Sequence, residues 1–151
     1  MQNIKVLVVD DNKRIVNLLR EALTKESDME VVATASDGEE ALKMIEMYKP
    51  DIMLLDLIMP KLDGIGVLEK LKSSRCFDKP KIIVVSAVSQ ESVTENAFEL
   101  GAAYYILKPF ECKTVISRIR AVVVSGESDN KVINNVFVNR YKKTSEFDSL
   151  E

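Results

Sequence analysis

The sequence of 151 residues contains no histidine, and this absence excludes several kinds of site. A Ser-His-Asp triad, a histidine-ligated metal and a histidine phosphocarrier all need an imidazole that this chain lacks. The two cysteines, Cys76 and Cys112, do not have the spacing of a Cys-x-x-Cys motif. We therefore expect both to be free thiols in a reducing compartment.

Glycine and proline are too few for a flexible linker segment, and basic residues are too few for a typical nucleic-acid-binding surface. Five glycines and four prolines leave no room for a linker rich in these residues. Lysine and arginine number 21 against 24 acidic residues, a net charge of −3, so we expect no direct contact with nucleic acid. No apolar run approaches the ~20 residues of a membrane span, and no basic and apolar leader opens the sequence. We expect a soluble, cytoplasmic protein without membrane contact.

Short apolar runs alternate with amphipathic stretches from residue 4 to about residue 124. The apolar runs predict five strands, and the stretches between them place apolar residues at helical spacing. Strands that are apolar on both faces and are joined by helices predict a parallel sheet covered on both sides. Five units are too few to close a (β/α)₈ barrel. The predicted fold is α/β, a flavodoxin-like doubly wound sheet with strand order 2-1-3-4-5.

The C-terminal part of the chain differs in character. A polar break at residues 125–129 precedes a weak apolar patch that begins at Val132 and has no clear period. We therefore divide the chain into a domain, residues 1–124, and a tail, residues 125–151. The tail could be a linker, a helix packed on the domain or an arm that contacts another subunit.

Polar residues end four of the five predicted strands. Asp10 and Asp11 follow the first, Asp56 the third, Ser86 the fourth and Lys108 the fifth. Since all crossovers have one hand, these residues lie at one edge of the sheet, where ligands of open α/β sheets bind. Three carboxylates without histidine or cysteine suit Mg²⁺. With an ammonium and a hydroxyl added, the set predicts a site for a transferred phosphoryl group.

Each of these residues also has a simpler interpretation. Asp10 and Asp11 could cap the first helix, as could Asn12, and Asp56 could serve a turn. Ser86 and Lys108 alone are ordinary polar strand ends. Their joint position at one edge, with complementary charges, favours a functional site over coincidence.

Four segments match the motifs of a known family in order and spacing. They read VVDDN at residues 8–12, LDLIMPKLDG at 55–64, VSA at 85–87 and LKPF at 107–110. On these motifs, residues 4 to about 124 resemble the receiver domain of two-component response regulators. The resemblance implies a signalling domain that accepts a phosphoryl group on its own side chain. It assists its own phosphorylation and dephosphorylation and is not an enzyme with an external substrate.

The resemblance assigns a role to each residue of the predicted site. It implies Asp56 as the phosphoacceptor, Lys108 as the phosphoryl contact, and Asp10, Asp11 and Asp56 as Mg²⁺ ligands. The backbone carbonyl of Ile58 would complete the protein's share of the metal site.

The resemblance also implies a switch and partners. Ser86 is the hydroxyl switch, Tyr105 the aromatic switch, and the Lys108–Pro109 bond is expected to be cis. The donor would be a histidine kinase or histidine phosphotransferase, and the surface of the fourth helix, fifth strand and fifth helix would control the output. A homodimer could form on phosphorylation. Ile58 and Val88 lie two residues past the acceptor and the hydroxyl switch, where apolar side chains imply slow self-dephosphorylation.

Within the family, residues 64–71, 90–94 and 101–110 are most similar to the receiver of the sporulation master regulator of spore-forming Firmicutes. This similarity implies control of transcription at sporulation onset. The output would be a DNA-binding domain, either on the same chain after the tail or on a separate one.

Three alternatives remain open from the sequence. An aspartyl-nucleophile phosphatase on a related sheet needs a second acid two residues after the nucleophile, where this chain has Ile58. A nucleotide-binding module is disfavoured because Gly64 and Gly66 follow a loop and lack the third glycine of the fingerprint. An interaction module that works without phosphorylation would keep the same pocket unused.

Overall fold

The computed structural model describes residues 3–75, 78–125 and 131–133, and it shows strands and helices in strict alternation. The elements are β1 (Ile4–Val9), α1 (Lys13–Thr24), β2 (Met29–Ala35), α2 (Gly38–Tyr48), β3 (Ile52–Leu55), α3 (Gly64–Ser73), β4 (Lys81–Ser86), α4 (Glu91–Glu99), β5 (Ala102–Leu107), α5 (Cys112–Ser125) and β6 (Lys131–Ile133). The five predicted strand–helix units are therefore all present. No described helix has the length and apolar character needed to cross a membrane.

The strands form one sheet in the order β2-β1-β3-β4-β5-β6, and all neighbouring pairs are parallel. The predicted order 2-1-3-4-5 is confirmed for the first five strands. The sixth strand was not predicted, because the weak apolar pattern of the tail indicated neither strand nor helix. The tail residues that the structure describes are 125 and 131–133, and the other tail predictions lie outside the described residues.

Two hydrophobic cores cover the two faces of the sheet. Successive residues of β1 alternate between them: Val6 and Val8 belong to the core that includes residues of α1 and α5, whereas Leu7 and Val9 belong to the core that includes residues of α2, α3 and α4. This alternation explains why the central strands are continuous apolar runs in the sequence. Burying each such side chain contributes about 1.5–3 kcal/mol to stability. The sheet edge that carries the polar residues therefore rests on a rigid support.

Short polar residues begin the helices near that edge. The side chain of Asn12 accepts from the N–H groups of Arg14 and Ile15 and caps α1. Asp37 and Asp63 cap α2 and α3 in the same way. Asn12 thus fills the capping role that was a simpler explanation for the Asp10–Asp11 pair.

The predicted free state of the cysteines can be compared with the structure, and one glycine has a left-handed backbone conformation. Cys112 is a free thiol, as expected, while Cys76 lies outside the described residues. Gly101 follows the end of α4 with φ of +113°, a left-handed conformation that glycine adopts readily after a helix.

Arg120 on α5 binds the connection between α1 and β2 through two carboxylates. Its Nε and Nη2 lie 2.9 Å from the two oxygens of Asp28, and its Nη2 lies 2.6 Å from Oε1 of Glu26. The hydrogen bond from Arg120 lowers the pKa of Asp28, against the opposing effect of burial. The two-pronged contact is the geometry that guanidinium groups favour with carboxylates.

We expect Arg120→Gln to lower the melting temperature at neutral pH. Because the folded-state pKa of Asp28 is below its ordinary value, the stabilisation is present above that ordinary value and is lost as pH falls through the lowered one. The difference in melting temperature between variant and wild type should therefore decrease on acidification, and also with added salt. Thermal unfolding across pH checks this, with exposed Arg14→Gln as the control. A gap that does not change with pH would contradict the assignment.

Candidate functional site

Three aspartates meet at the carboxyl ends of β1 and β3. These strands are neighbours, with Val9 paired to Leu55, and the N–H of Asp56 donates to the carbonyl of Val9 at 3.0 Å. One carboxylate oxygen from each of Asp10, Asp11 and Asp56 lies within 4.8 Å of the others. Asp10 and Asp56 are buried and Asp11 is exposed. The predicted convergence of the three side chains is present in the structure.

Lys108 joins two of these carboxylates. Its Nζ lies 2.8 Å from Oδ2 of Asp10 and 3.4 Å from Oδ2 of Asp56. The backbone N–H of Lys108 donates to the carbonyl of Ser86 at 2.9 Å, so the ends of β4 and β5 are held together. The Lys108–Pro109 bond is cis, as the resemblance implied. The structure thus places the predicted ammonium against the predicted acceptor.

The charges of the pocket perturb its titratable groups. Burial raises the pKa of Asp56; the charge of Lys108 opposes this effect and that of Asp10 adds to it, and the net shift is upward. Burial alone would lower the pKa of Lys108, but its contacts with Asp10 and Asp56 outweigh it and raise the pKa. Three carboxylates against one ammonium leave two negative charges, which a divalent cation would balance.

Asp56→Asn should stabilise the metal-free protein at neutral pH, by on the order of 1 kcal/mol, because it removes a poorly compensated buried charge. A carboxyl whose folded-state pKa is raised destabilises the fold above that pKa, and the penalty disappears as pH falls to the ordinary value. The advantage of the variant should therefore narrow in acid. Urea unfolding with a chelator at neutral and acidic pH measures both effects. A variant less stable than wild type would contradict this account.

The donor set of the pocket fits a hard cation. Its candidate ligands are carboxylate oxygens, which suit Mg²⁺ and not the softer metals that favour nitrogen or sulfur. The backbone of Ile58 lies beside this set, since its N–H donates to Oδ1 of Asp56 at 3.5 Å, while its side chain is exposed. Ligation by the carbonyl of Ile58 stays a prediction.

Ser86 and Tyr105 meet through the backbone of Val88. Ser86 is fully buried at the end of β4, and its Oγ accepts the N–H of Val88 at 3.2 Å. Tyr105 is also fully buried, and its hydroxyl donates to the carbonyl of Val88 at 2.6 Å. Burial raises the pKa of Tyr105 to about 12, although a hydrogen bond with Ser86 opposes the shift. Tyr105 is therefore in an inward position, packed beside Phe98 of α4.

Sequence reasoning missed several groups that position the site. The backbone N–H of Asn12 donates to Oδ1 of Asp10 at 2.9 Å, and the backbone of Val88 links Ser86 and Tyr105. Gly64 donates to the carbonyl of Leu57 at 2.9 Å, and a Cβ at Gly64 would overlap the backbone oxygen of Asp56. In the sequence, Gly64 is the last residue of the motif at residues 55–64 and follows a loop, and neither feature revealed the close packing.

Known proteins resemble this chain in sequence and in fold. The model of the response regulator receiver domain matches residues 6–120. The response regulator domain of Thermotoga maritima CheB is 30% identical, with a TM-score of 0.73 over 80% of this chain and 96% of that one. The receiver domain of a response regulator from Bermanella marisrubri is 33% identical, with a TM-score of 0.73 over 81% of this chain and 99% of that one.

A third similar structure is that of a complex that contains BeF₃ and Mg²⁺. It is the CheX–CheY–BeF₃–Mg²⁺ complex of Borrelia burgdorferi, in which the matching chain is 33% identical, with a TM-score of 0.73 over 81% of this chain and 90% of that one. The sequence motifs, the parallel sheet and the match of the family model over most of the chain agree. The chain belongs to the response regulator receiver domain family.

Proposed function

We propose that this chain accepts a phosphoryl group on Asp56 from a phosphohistidine of a partner protein, with Mg²⁺ as cofactor. The observation that supports this most directly is the buried carboxylate of Asp56, within 4.8 Å of two other carboxylates and 3.4 Å from the Nζ of Lys108. Receiver domains generally bind Mg²⁺ at an acidic pocket of this kind. The donor would be a histidine kinase or a histidine phosphotransferase, since this chain has no histidine of its own.

The proposed transfer is a single in-line displacement. An oxygen of Asp56 attacks phosphorus, the bond from phosphorus to the donor's imidazole nitrogen breaks, and its electron pair returns to the imidazole. Lys108 stabilises the charge on the phosphoryl oxygens, and the rigid ends of β3 and β5 hold both groups in place. Bound Mg²⁺ would supply further positive charge, with Asp10, Asp11, Asp56 and the carbonyl of Ile58 as its protein ligands.

The product would act through the switch residues. A phosphoryl group on Asp56 offers acceptor oxygens to the hydroxyl hydrogen of Ser86, whose Oγ accepts the N–H of Val88 in this structure. As Ser86 moves toward the phosphoryl group, the inward position of Tyr105 becomes more favourable. This changes the surface formed by α4, β5 and α5, a two-state element biased by a local charge. The protein would then be a signalling acceptor, not an enzyme with an external substrate.

The finer output is proposed from sequence similarity. Residues 64–71, 90–94 and 101–110 are most similar to the receiver of the sporulation master regulator of spore-forming Firmicutes. We propose a cytoplasmic protein that controls transcription at sporulation onset through a DNA-binding domain, with homodimer formation on phosphorylation. Loss of sporulation in a strain carrying Asp56→Asn would support this output, whereas normal sporulation would contradict it.

Intact mass after incubation with acetyl phosphate tests the central proposal. We expect one phosphoryl adduct that requires Mg²⁺ and disappears when a chelator is added first. No adduct from a folded protein, together with no binding of beryllofluoride, would contradict it. Turnover of a generic phosphomonoester would instead favour the aspartyl-nucleophile phosphatase.

The phosphoryl group on Asp56 should be long-lived. Ile58 is apolar and 65% exposed beside the acceptor, so it offers no hydrogen bond to an attacking water. We expect Ile58→Asn to shorten the lifetime of the adduct several-fold. The decay of the adduct is measured by intact mass after the phosphoryl donor has been removed. Met47→Asn is the control, because Met47 is an exposed apolar residue of a different element, α2. This substitution should leave the lifetime unchanged. A wild-type lifetime of seconds would disprove this expectation.

A further inference from the structure

The sixth strand covers the edge of the sheet next to the switch. β6 pairs in parallel with β5, with Lys131, Val132 and Ile133 opposite Tyr104, Tyr105 and Ile106. Five residues connect the end of α5 to β6, a usual length for a connection between helix and strand in α/β units. β5, α5 and β6 therefore form one more β-α-β unit, and β5 is not the edge strand of the sheet.

The register places Tyr105 between two strands. Its backbone is paired with Val84 of β4 on one side and with Val132 of β6 on the other. Its side chain is fully buried on the face that packs against α4, with the hydroxyl bonded to Val88. Tyr105, the residue proposed to respond to phosphorylation, is therefore paired with Val132, the middle residue of β6.

A docked β6 restricts where this ring can go. Without β6, β5 would be the edge strand, and rotation about the Cα–Cβ bond of Tyr105 would carry the ring past that edge into solvent. Neighbouring strands lie about 4.8 Å apart, so the backbone of β6 occupies the space beside this edge. The outward position of Tyr105 is therefore less accessible while β6 is paired.

We propose that β6 is a regulatory strand that positions Tyr105 inward and thereby favours the phosphorylated state of the domain. The inference rests on the proposed function, because the inward ring is the one that phosphorylated Asp56 selects. Linkage makes the effect reciprocal: docking of β6 favours the state that binds beryllofluoride or carries the phosphoryl group on Asp56, and that state tightens docking of β6. Tyr105 carries the coupling, and β6 acts through it without contact to the reacting atoms.

The test uses the full chain labelled with 3-fluorotyrosine, with the resonance of Tyr105 assigned by Tyr105→Phe. Val132→Pro combined with Ile133→Pro removes two successive backbone N–H groups. Because successive N–H groups of a strand point to opposite sides, one of the two faces β5, and its loss disrupts the pairing of β6. Val132→Ala keeps the N–H and is the matched control. Val132→Gly with Ile133→Gly is a milder variant that weakens the strand through backbone entropy if the proline variant does not fold. Each protein is titrated with beryllofluoride in the presence of Mg²⁺.

We expect the double proline variant to move the Tyr105 resonance and to weaken beryllofluoride binding about fivefold or more, with the Gly pair intermediate and Val132→Ala unchanged. Where beryllofluoride binds to the wild-type protein, either change without the other overturns the proposal, and so does the absence of both. If beryllofluoride binds to none of the proteins, the proposed function fails. The resonance alone then decides whether β6 positions Tyr105.

Discussion

Replacing Asp56 by asparagine is expected to abolish the phosphoryl adduct completely. An amide has nearly the shape of a carboxylate but no charged oxygen to attack phosphorus, and it is a weaker ligand for a hard cation. The substitution also removes the negative charge that Lys108 contacts at 3.4 Å. The fold should remain, because the aspartate is an unfavourable buried charge in the metal-free protein. Intact mass after incubation with acetyl phosphate and Mg²⁺ measures the loss.

Asp63→Asn is the matched control for this experiment. Asp63 lies in the same connection between β3 and α3, and its Oδ1 caps the helix by accepting the N–H of Gly66 at 2.8 Å. Asparagine caps helices about as well as aspartate, so the same chemical change should here leave the adduct intact. An adduct of undiminished yield in Asp56→Asn would show that another residue is the acceptor.

The convergence of the site could be predicted from sequence because it follows from topology. Apolar runs identified the strands, and parallel crossovers placed the carboxyl ends of these strands at one edge of the sheet. Asp10, Asp56 and Lys108 follow β1, β3 and β5, and the strand order β1-β3-β4-β5 brings these three side chains together. The residue types at the strand ends were therefore sufficient to predict which charged groups meet at the site. Roles beyond position, such as ligation by the carbonyl of Ile58, stay predictions.

The sixth strand and the inward ring could not be predicted in the same way. β6 has only three residues, and its pairing with β5 depends on the backbone of a distant strand and not on a local pattern. The carbonyl of Val88 that binds Tyr105 is a main-chain group, which every residue type would supply. Likewise, the tight packing at Gly64 depends on the return of the chain beneath Asp56.

That packing leads to the second large expected effect, for Gly64→Ala. The added methyl group would overlap the backbone oxygen of Asp56 and lie 2.6 Å from Cα of Leu57, and neither backbone atom can move without displacing Asp56. Overpacking of this kind costs about 1–3 kcal/mol. A displacement of about 1 Å at a reacting group can slow a reaction about 100-fold. We therefore expect Gly64→Ala to lower the midpoint of urea unfolding and to slow phosphorylation strongly.

Gly66→Ala separates this local clash from a general effect of alanine in α3. The nearest atom to its added methyl group is Cδ1 at the end of the Leu62 side chain, which can rotate away. Alanine also favours the helix over glycine by up to about 1 kcal/mol, so this variant should be at least as stable as wild type and should be phosphorylated normally. If both variants behaved alike, the close approach of Gly64 to Asp56 would not be what positions the acceptor. A loss confined to Gly64→Ala would instead show that a residue with no functional group sets the geometry of the phosphorylation site.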